Sequence, residues 1–278
     1  MNSIYNLNYM YLIGSNSAVI KIKNLKMANA TLPNYFKYKS AKDLVRVGRE
    51  NDGGYVISAK DIEFSEVLIS FGIEYDWSFE EDFVSRNDIP VMAYDGSVSK
   101  RIIFRKMLKS LVRFDKPKLM LHWLKVYFSY INFFKGRRHH FEKFVGPVVS
   151  DKFSSMSEIL SEVESDKIFL KIDIEGGEYR IFNELIKNQY RFSGIVMELH
   201  DCDLHLERIS ELISQFSLPI VHIHANNYAP LECKNGLPLV LEVTFSSAAE
   251  LGDSYISPSS LDMPNHKIED EIILNFSN

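Results

Sequence analysis

The sequence is poor in cysteine and has no long apolar run, and each shortage excludes a class of protein. Its two cysteines, Cys202 and Cys233, stand far apart and offer neither a disulfide framework nor a Cys-x-x-Cys zinc site. No apolar run reaches the length of a transmembrane helix, and the N-terminus lacks the basic region of a signal peptide. We therefore expect a protein of a reducing compartment, the cytoplasm.

Signals for nucleic acid and for dinucleotides are also scarce. The net charge is −5 at pH 7, so no global excess of basic residues indicates a nucleic-acid partner. The Gly-x-Gly-x-x-Gly turn that holds a pyrophosphate is missing, which weakens the alternative of an NAD-dependent or nucleotide-sugar enzyme. A chain of 278 residues with ordinary apolar content can form one large core, or one domain with a substantial insertion.

The pattern that is present is an alternation of short apolar runs with helical segments. Its clearest unit is residues 167–178, a β-branched run that ends in Asp173, Glu175 and a glycine pair, followed by a helical pattern. Such units build doubly wound sheets, whose ligands lie at the carboxyl ends of the strands. We predict core strands at residues 67–71, 91–94, 144–149, 167–173, 194–201, 219–224 and 239–245. The fold class is therefore α/β, with a seven-stranded, mostly parallel sheet and helices on both faces.

Domain organisation follows from where this alternation starts. Residues 1–40 are assigned to an N-terminal extension and residues 41–278 to one domain, because no repeat or low-complexity linker separates a second domain. The domain opens with a predicted β-hairpin at residues 44–57, whose turn is Asp-Gly-Gly. The position of the tail, residues 257–278, after the last strand leaves open whether it returns to the site.

A basic helical insertion interrupts the alternation at about residues 100–143. It holds 13 of the 32 Lys and Arg but only 2 of the 37 acids, a local balance of +11. Within it, residues 119–134 carry one charge and six aromatic side chains, too short to span a bilayer but sufficient for a buried or interfacial helix. We predict an anionic partner, either a phosphorylated acceptor or the inner face of a membrane. A merely solvated helix face is the alternative.

Several motifs resemble known methyltransferases. Residues 170–178, Leu-Lys-Ile-Asp-Ile-Glu-Gly-Gly-Glu, are similar to the central motif of the FkbM-type family. Residues 46–48 (Arg-Val-Gly) with 52–55 (Asp-Gly-Gly-Tyr), and 70–73 (Ser-Phe-Gly-Ile) with 76–80 (Asp-Trp-Ser-Phe-Glu), resemble the related methyltransferase-like domain. The resemblance implies a class I, Rossmann-like fold that binds S-adenosylmethionine (SAM) and methylates a hydroxyl, commonly of a sugar or natural product.

The resemblance also implies a cofactor site. One departure from the family concerns Gly72, which stands alone at the first strand turn, where many class I enzymes have three glycines. Asp95 lies about twenty residues beyond that turn, where a carboxylate takes ribose hydroxyls in nucleotide-binding sheets. The residues assigned to SAM binding are Gly53, Gly54, Gly72, Asp76, Asp95, Asp173 and Glu175.

Acids and histidines at neighbouring strand ends supply the candidate catalytic groups, His200, Asp173 and His224. A hydroxyl is a poor nucleophile at neutral pH, so its methylation requires a base or a Lewis-acidic ion. One version uses His200 as general base. The other holds Mg²⁺ or Mn²⁺ between Asp173, Glu198 and His200, since oxygen ligands suit these ions.

An alternative of another class is a binding protein, a degenerate methyltransferase fold that scaffolds an assembly through its basic insertion. The missing glycine-rich turn favours this alternative. Acids and histidines at four strand ends speak against it, because a scaffold does not need desolvated charge. The acceptor, whether a small molecule or a glycan, and whether phosphorylated or lipid-linked, is not specified by the sequence.

Overall fold

The computed structural model describes residues 28–112, 115–232 and 236–277. The strands in these residues are β1 (Ala28–Leu32), β2 (Leu44–Gly48), β3 (Gly54–Ser58), β4 (Val67–Phe71), β5 (Val91–Tyr94), β6 (Arg138–Phe141), β7 (Phe144–Val145), β8 (Phe153–Ser154), β9 (Ile168–Ile172), β10 (Phe192–Leu199), β11 (Ile220–Ala225), β12 (Leu241–Ser246) and β13 (Ile272–Phe276). The helices are α1 (Ala59–Phe64), α2 (Ser78–Arg86), α3 (Lys100–Leu111), α4 (Pro117–Phe133), α5 (Met156–Ser161), α6 (Phe182–Lys187) and α7 (Cys202–Gln215). Residues 1–26 of the predicted extension, and Cys233, lie outside the described residues.

Seven strands form the central sheet, in the order β11-β12-β10-β9-β4-β5-β6. β12 runs antiparallel to both of its neighbours, and the other adjacent strands are parallel. The prediction of a mostly parallel seven-stranded α/β sheet is therefore confirmed. Along the chain, β5 and β6 follow β4 on one side of it, whereas β10, β11 and β12 lie on the other side, beyond β9. The direction of strand addition therefore reverses between β4 and β9. Sheets of this kind bind ligands in the crevice at the carboxyl ends of the strands at such a switch point.

One strand lies elsewhere than predicted. The prediction of a core strand at residues 144–149 is wrong, because the strand that pairs with β5 is β6. β7 and β8 form a separate two-stranded sheet, and Val148 is exposed. The sequence of β6, Arg-His-His-Phe, lacks an apolar period because this strand lies at the sheet edge and is only half-buried.

Two apolar clusters cover the two faces of the sheet. Side chains alternate along a strand, so Leu170 belongs to one cluster and its neighbour Phe169 to the other. Helices α5, α6 and α7 cover the first face, whereas α2, α3, α4 and the β2–β3 hairpin cover the second. The expectation of helices on both faces is thus confirmed. Among the described residues, no helix is both long and apolar enough to cross a membrane.

Segments near the two ends of the described chain pack together. β1 pairs in parallel with β13, and Leu32 and Phe36 lie fully buried in the first cluster. The described part of residues 28–40 therefore contributes to the core, while the domain division at residue 40 stays a prediction. The tail returns over the β2–β3 turn, where the Asn51 amide donates to the Pro264 carbonyl at 2.8 Å.

Candidate active site

A cavity of about 490 Å³ opens at the carboxyl ends of β4, β5 and β9. The β2–β3 turn and the segment around β7 and β8 form its other walls. A cavity of this size suits a cofactor or a small molecule. Two of its lining residues, Glu74 and Glu175, have φ of 42° and 53°, and such strained backbone concentrates at functional sites.

One end of the cavity is aromatic and apolar. Tyr94, at the end of β5, stacks on Phe141 with ring centroids 4.6 Å apart and planes inclined by 11°. Phe144 and Phe153 lie opposite each other with centroids 5.6 Å apart, and both line the cavity, although they are 43% and 38% exposed. Aromatic walls of this kind suit a flat ring.

Asp95 lies between the aromatic end and the loop after β4. Its Oδ2 accepts from the backbone N–H groups of Ile73 (3.0 Å) and Glu74 (2.8 Å), and its Oδ1 accepts from the backbone and the hydroxyl of Ser97 at 2.7 and 2.6 Å. Burial would raise the pKa of Asp95, but these hydrogen bonds outweigh it and the pKa is lowered. The Asp95 carboxylate therefore fixes the loop after β4, which lines the cavity. A ribose hydroxyl could donate to Asp95 Oδ1 only by displacing the hydroxyl of Ser97.

Near Asp173 and Asp76, two glycines let neighbouring chain segments of the cavity wall approach each other closely. Gly72 has φ of 81°, and a β-carbon there would lie 1.7 Å from the Asp173 carbonyl oxygen, so β4 and β9 meet too closely for another residue. Gly53 has φ of 84°, and its β-carbon would lie 2.7 Å from the Asp76 carboxylate. Gly54 does not line the cavity, since it packs against the carbonyl of Arg49.

Carboxylates outnumber basic side chains in the cavity wall. Asp76 pairs with Arg49, whose Nε lies 2.9 Å from its Oδ2. The charged lining residues are Arg49, Asp52, Glu74, Asp76, Asp95, Lys171, Asp173, Glu175 and Arg180. With six acids against three bases, the wall suits a ligand that carries positive charge.

A buried polar layer extends from Asp173 along the sheet face that the β2–β3 hairpin covers. The Tyr55 hydroxyl lies 3.1 Å from Asp173 Oδ2 and 3.2 Å from Glu198 Oε2, and the Asn226 amide donates to Glu198 Oε1 at 2.7 Å. Burial, with Asp173 and Glu242 nearby, raises the pKa of Glu198 to about 8. Protonated Glu198 can donate a hydrogen bond to the Tyr55 oxygen, so the Tyr55 hydroxyl can donate its own hydrogen bond to Asp173.

His200 lies at the edge of this layer, outside the cavity lining. Its Nδ1 is 3.0 Å from Oε1 of the fully buried Glu178, and its Nε2 is 3.5 Å from Glu175. Burial would lower the pKa of His200, but Glu178 and then Glu198 raise it to about 9. Its assignment as general base stays a prediction, and a protonated imidazole at neutral pH donates protons rather than accepting them.

The residues that could hold a divalent ion are not the set that was predicted. Asp173, Glu175 and His200 place ligand atoms within 4.8 Å of one another, so Glu175 stands where Glu198 was expected. Both oxygens of Glu198 already accept or share hydrogen bonds.

His224 is not brought together with Asp173. Its two ring nitrogens lie 3.1 Å from Glu242 and 2.8 Å from Glu271, and the side chain is buried outside the cavity lining. Burial would lower its pKa, but Glu242 and Glu271 raise it well above the usual range. This arrangement suits a structural ion-pair group rather than a catalytic one.

Sequence reasoning missed Tyr55, Asn226 and Lys171 in the polar part of the site. It also missed the aromatic residues Tyr94, Phe144 and Phe153 in the cavity wall. Lys171 Nζ donates to the Gly72 carbonyl at 2.8 Å and is almost fully buried. Burial would lower its pKa, but Glu80 and Asp173 raise it. A lysine inside an otherwise apolar strand is the sequence signal that could have identified it, since buried charges are rare without partners.

Comparisons with known proteins concern the fold alone. No model of a known protein family matches the chain, and no curated protein matches it. Among solved structures, the METTL16 MTase domain is similar at 11% identity and a TM-score of 0.37, over 67% of this chain and 61% of that domain. Precorrin-6y C5,15-methyltransferase from Geobacter metallireducens GS-15 is similar at 12% identity and a TM-score of 0.36, over 68% of this chain and 85% of that one. The chain thus spans less than two thirds of the METTL16 domain, and likenesses this remote carry no argument about activity.

Proposed function

We propose that the protein is a SAM-dependent methyltransferase whose cofactor occupies the cavity at the ends of β4, β5 and β9. The observation that carries the proposal is that the rings of Tyr94, Phe144 and Phe153 and six carboxylates line the same cavity. SAM combines the matching chemistry, because it has a flat adenine ring as well as a cationic sulfonium and an ammonium group. The resemblance of residues 170–178 to the FkbM-type motif supports the same assignment.

Each part of the cofactor has a matching group in the cavity wall. Adenine would lie against the rings of Tyr94 and Phe144, and the ribose would meet the loop that Asp95 fixes. Asp76 and Asp173 would neutralise the charge of the methionine portion. When bound, SAM supplies an activated methyl group, so the enzyme needs alignment and proton removal rather than a covalent intermediate.

Asp173 is the best candidate to receive the acceptor proton. It lines the cavity, and Tyr55 fixes the position of its Oδ2. Glu198 holds its own proton until about pH 8, because burial and neighbouring carboxylates disfavour its charged form, so it is not a base at neutral pH. We further propose that the acceptor group is a hydroxyl of a sugar, glycan or small molecule, which rests on the resemblance alone.

Calorimetric titration with SAM and with NAD tests the proposal. We expect one SAM to bind per chain and NAD not to bind, because no glycine-rich turn is present to hold a pyrophosphate. Phe144→Ala should weaken SAM binding about 2–10-fold through lost ring contact with adenine. Phe64→Ala is the matched control, since this exposed phenylalanine does not line the cavity. Absence of SAM binding to the unaltered protein would refute the assignment.

A further inference from the structure

The helical pair α3–α4 exposes large apolar side chains to solvent, although Phe104 and Phe128 also touch the ring of Tyr127. Five of them define what we call the outer face: Phe104, Leu108, Val112, Leu121 and Phe128, with exposed fractions of 41%, 45%, 73%, 53% and 52%. Large apolar side chains exposed together on adjacent helices mark interaction sites more often than chance exposure does.

The outer face lies opposite the side by which these helices pack on the domain. α3 buries Ile103 and Met107, while α4 buries Val126 and Tyr130 in the second cluster. Phe104, Leu108 and Val112 follow one another at four-residue spacing and so form one stripe along α3 and its C-terminal cap residue, Val112. Each helix therefore has two apolar sides, and the core of the domain accounts for only one of them.

Basic side chains run beside the apolar stripes. On α3, Arg105 and Lys109 directly follow Phe104 and Leu108, which places a basic stripe along the edge of the apolar one. Seven exposed basic residues belong to this segment: Lys100, Arg101, Arg105, Lys109, Lys116, Lys118 and Lys125. Within the described part of the chain, none of the seven has an ion-pair partner, so their charges are available to an external anion.

We propose that the outer face docks the protein on the surface of a membrane that contains anionic lipids. A soluble phosphate or a nucleic-acid backbone would use the basic residues but would leave five large apolar side chains in water. An anionic bilayer matches both features, because apolar side chains enter the boundary of the acyl region while Lys and Arg reach the headgroups. The helices lie along the surface, since neither is long enough to span the bilayer.

Sedimentation of the full chain with lipid vesicles tests this docking. Vesicles of phosphatidylcholine alone are compared with vesicles in which about one third of the lipid is phosphatidylglycerol, in about 0.1 M salt so that distant charges are screened. We expect binding to the anionic vesicles and little to the neutral ones. Phe104→Ser with Phe128→Ser, and Arg101→Glu with Arg105→Glu, should each weaken binding at least about tenfold.

Matched controls and folding checks keep these variants interpretable. Phe64→Ser removes an equally exposed phenylalanine elsewhere, and Lys37→Glu with Lys39→Glu reverses two exposed charges outside the helical pair; both should bind like the unaltered protein. All substituted side chains are exposed, so thermal unfolding should change little, and a variant whose unfolding midpoint falls markedly is replaced by Phe→Thr or Arg→Gln at the same positions.

Three outcomes would overturn the proposal. No binding to either kind of vesicle, or equal binding to both, would contradict an anionic surface. Full binding by the double serine variant, with loss in the double glutamate variant, would indicate a soluble polyanion instead. Dimerisation that the serine substitutions abolish, without any vesicle binding, would show that the outer face joins two copies of the chain.

Discussion

Replacing Glu198 with glutamine should stabilise the protein, by an amount that grows as the pH rises. Glu198 is buried, and its register partner on β12 is another glutamate, Glu242. Burial, together with Asp173 and Glu242, raises its pKa from 4.5 to about 8. Glutamine has nearly the shape of a protonated glutamate and can also donate to Tyr55, so it keeps the contacts without the ionisation.

The sign and size of the effect follow from linkage. Below pH 4.5 the carboxyl is protonated in both states and contributes no pH dependence. From there to about pH 8 the folded protein holds a proton that the unfolded chain has lost, so its stability falls as pH rises, by at most about 1.4 kcal/mol per unit. Above that window both states are ionised and the loss is complete, on the order of 5 kcal/mol for a pKa raised from 4.5 to about 8. The glutamine variant does not undergo this loss.

Urea unfolding at about pH 5, about pH 7 and about pH 9 measures the difference. We expect the stability gain of Glu198→Gln over the unaltered protein to increase by at least about 2 kcal/mol across this range. Glu207→Gln, at an exposed position on α7, is the matched control and should show no such trend. A difference between Glu198→Gln and the unaltered protein that does not vary with pH would refute the reasoning.

Three further predictions concern the proposed reaction. Tyr55→Phe removes the hydroxyl that positions Asp173 and should slow turnover about 10–100-fold with unchanged SAM affinity; a calorimetric Kd that rises in parallel would contradict a positioning role. Asp95→Ala releases the loop after β4 and should weaken SAM binding at least about tenfold, whereas unchanged affinity would remove Asp95 from the site. His200→Gln should cost less than about tenfold in turnover at pH 7, and EDTA should leave turnover unchanged; a 10²–10⁴-fold loss would identify His200 as the base, and EDTA sensitivity would support the metal.

The sheet was predictable where its strands are apolar on both faces. β9 is buried along its whole length and β4 along all but its first residue, and both have the pattern of a short apolar run between turn signals. β6 gave no such signal, because a half-buried edge strand of Arg and His has no apolar period. The apolar run at residues 144–149 predicts a core strand instead, although Phe144 lines the cavity and Val148 faces solvent.

The candidate site was predictable as far as strand ends determine it. Asp173 follows β9 and Asp95 follows β5, two parallel strands that flank β4, and topology alone brings such residues to one edge of the sheet. Tyr55 could not be assigned in this way, since its contact with Asp173 joins residues 118 positions apart through packing of a hairpin. The same limit applies to the environment of His200, because its proton affinity depends on Glu178, whose burial only the folded chain reveals.

A crystal structure of the protein with SAM tests the central claim most directly. We expect the adenine ring against Tyr94 and Phe144, the ribose at the loop that Asp95 fixes, and the sulfonium beside Asp173. This order follows from the aromatic residues at the end of β5 and the carboxylates at the end of β9. SAM bound in the reverse direction, bound elsewhere, or absent at saturating concentration would contradict it.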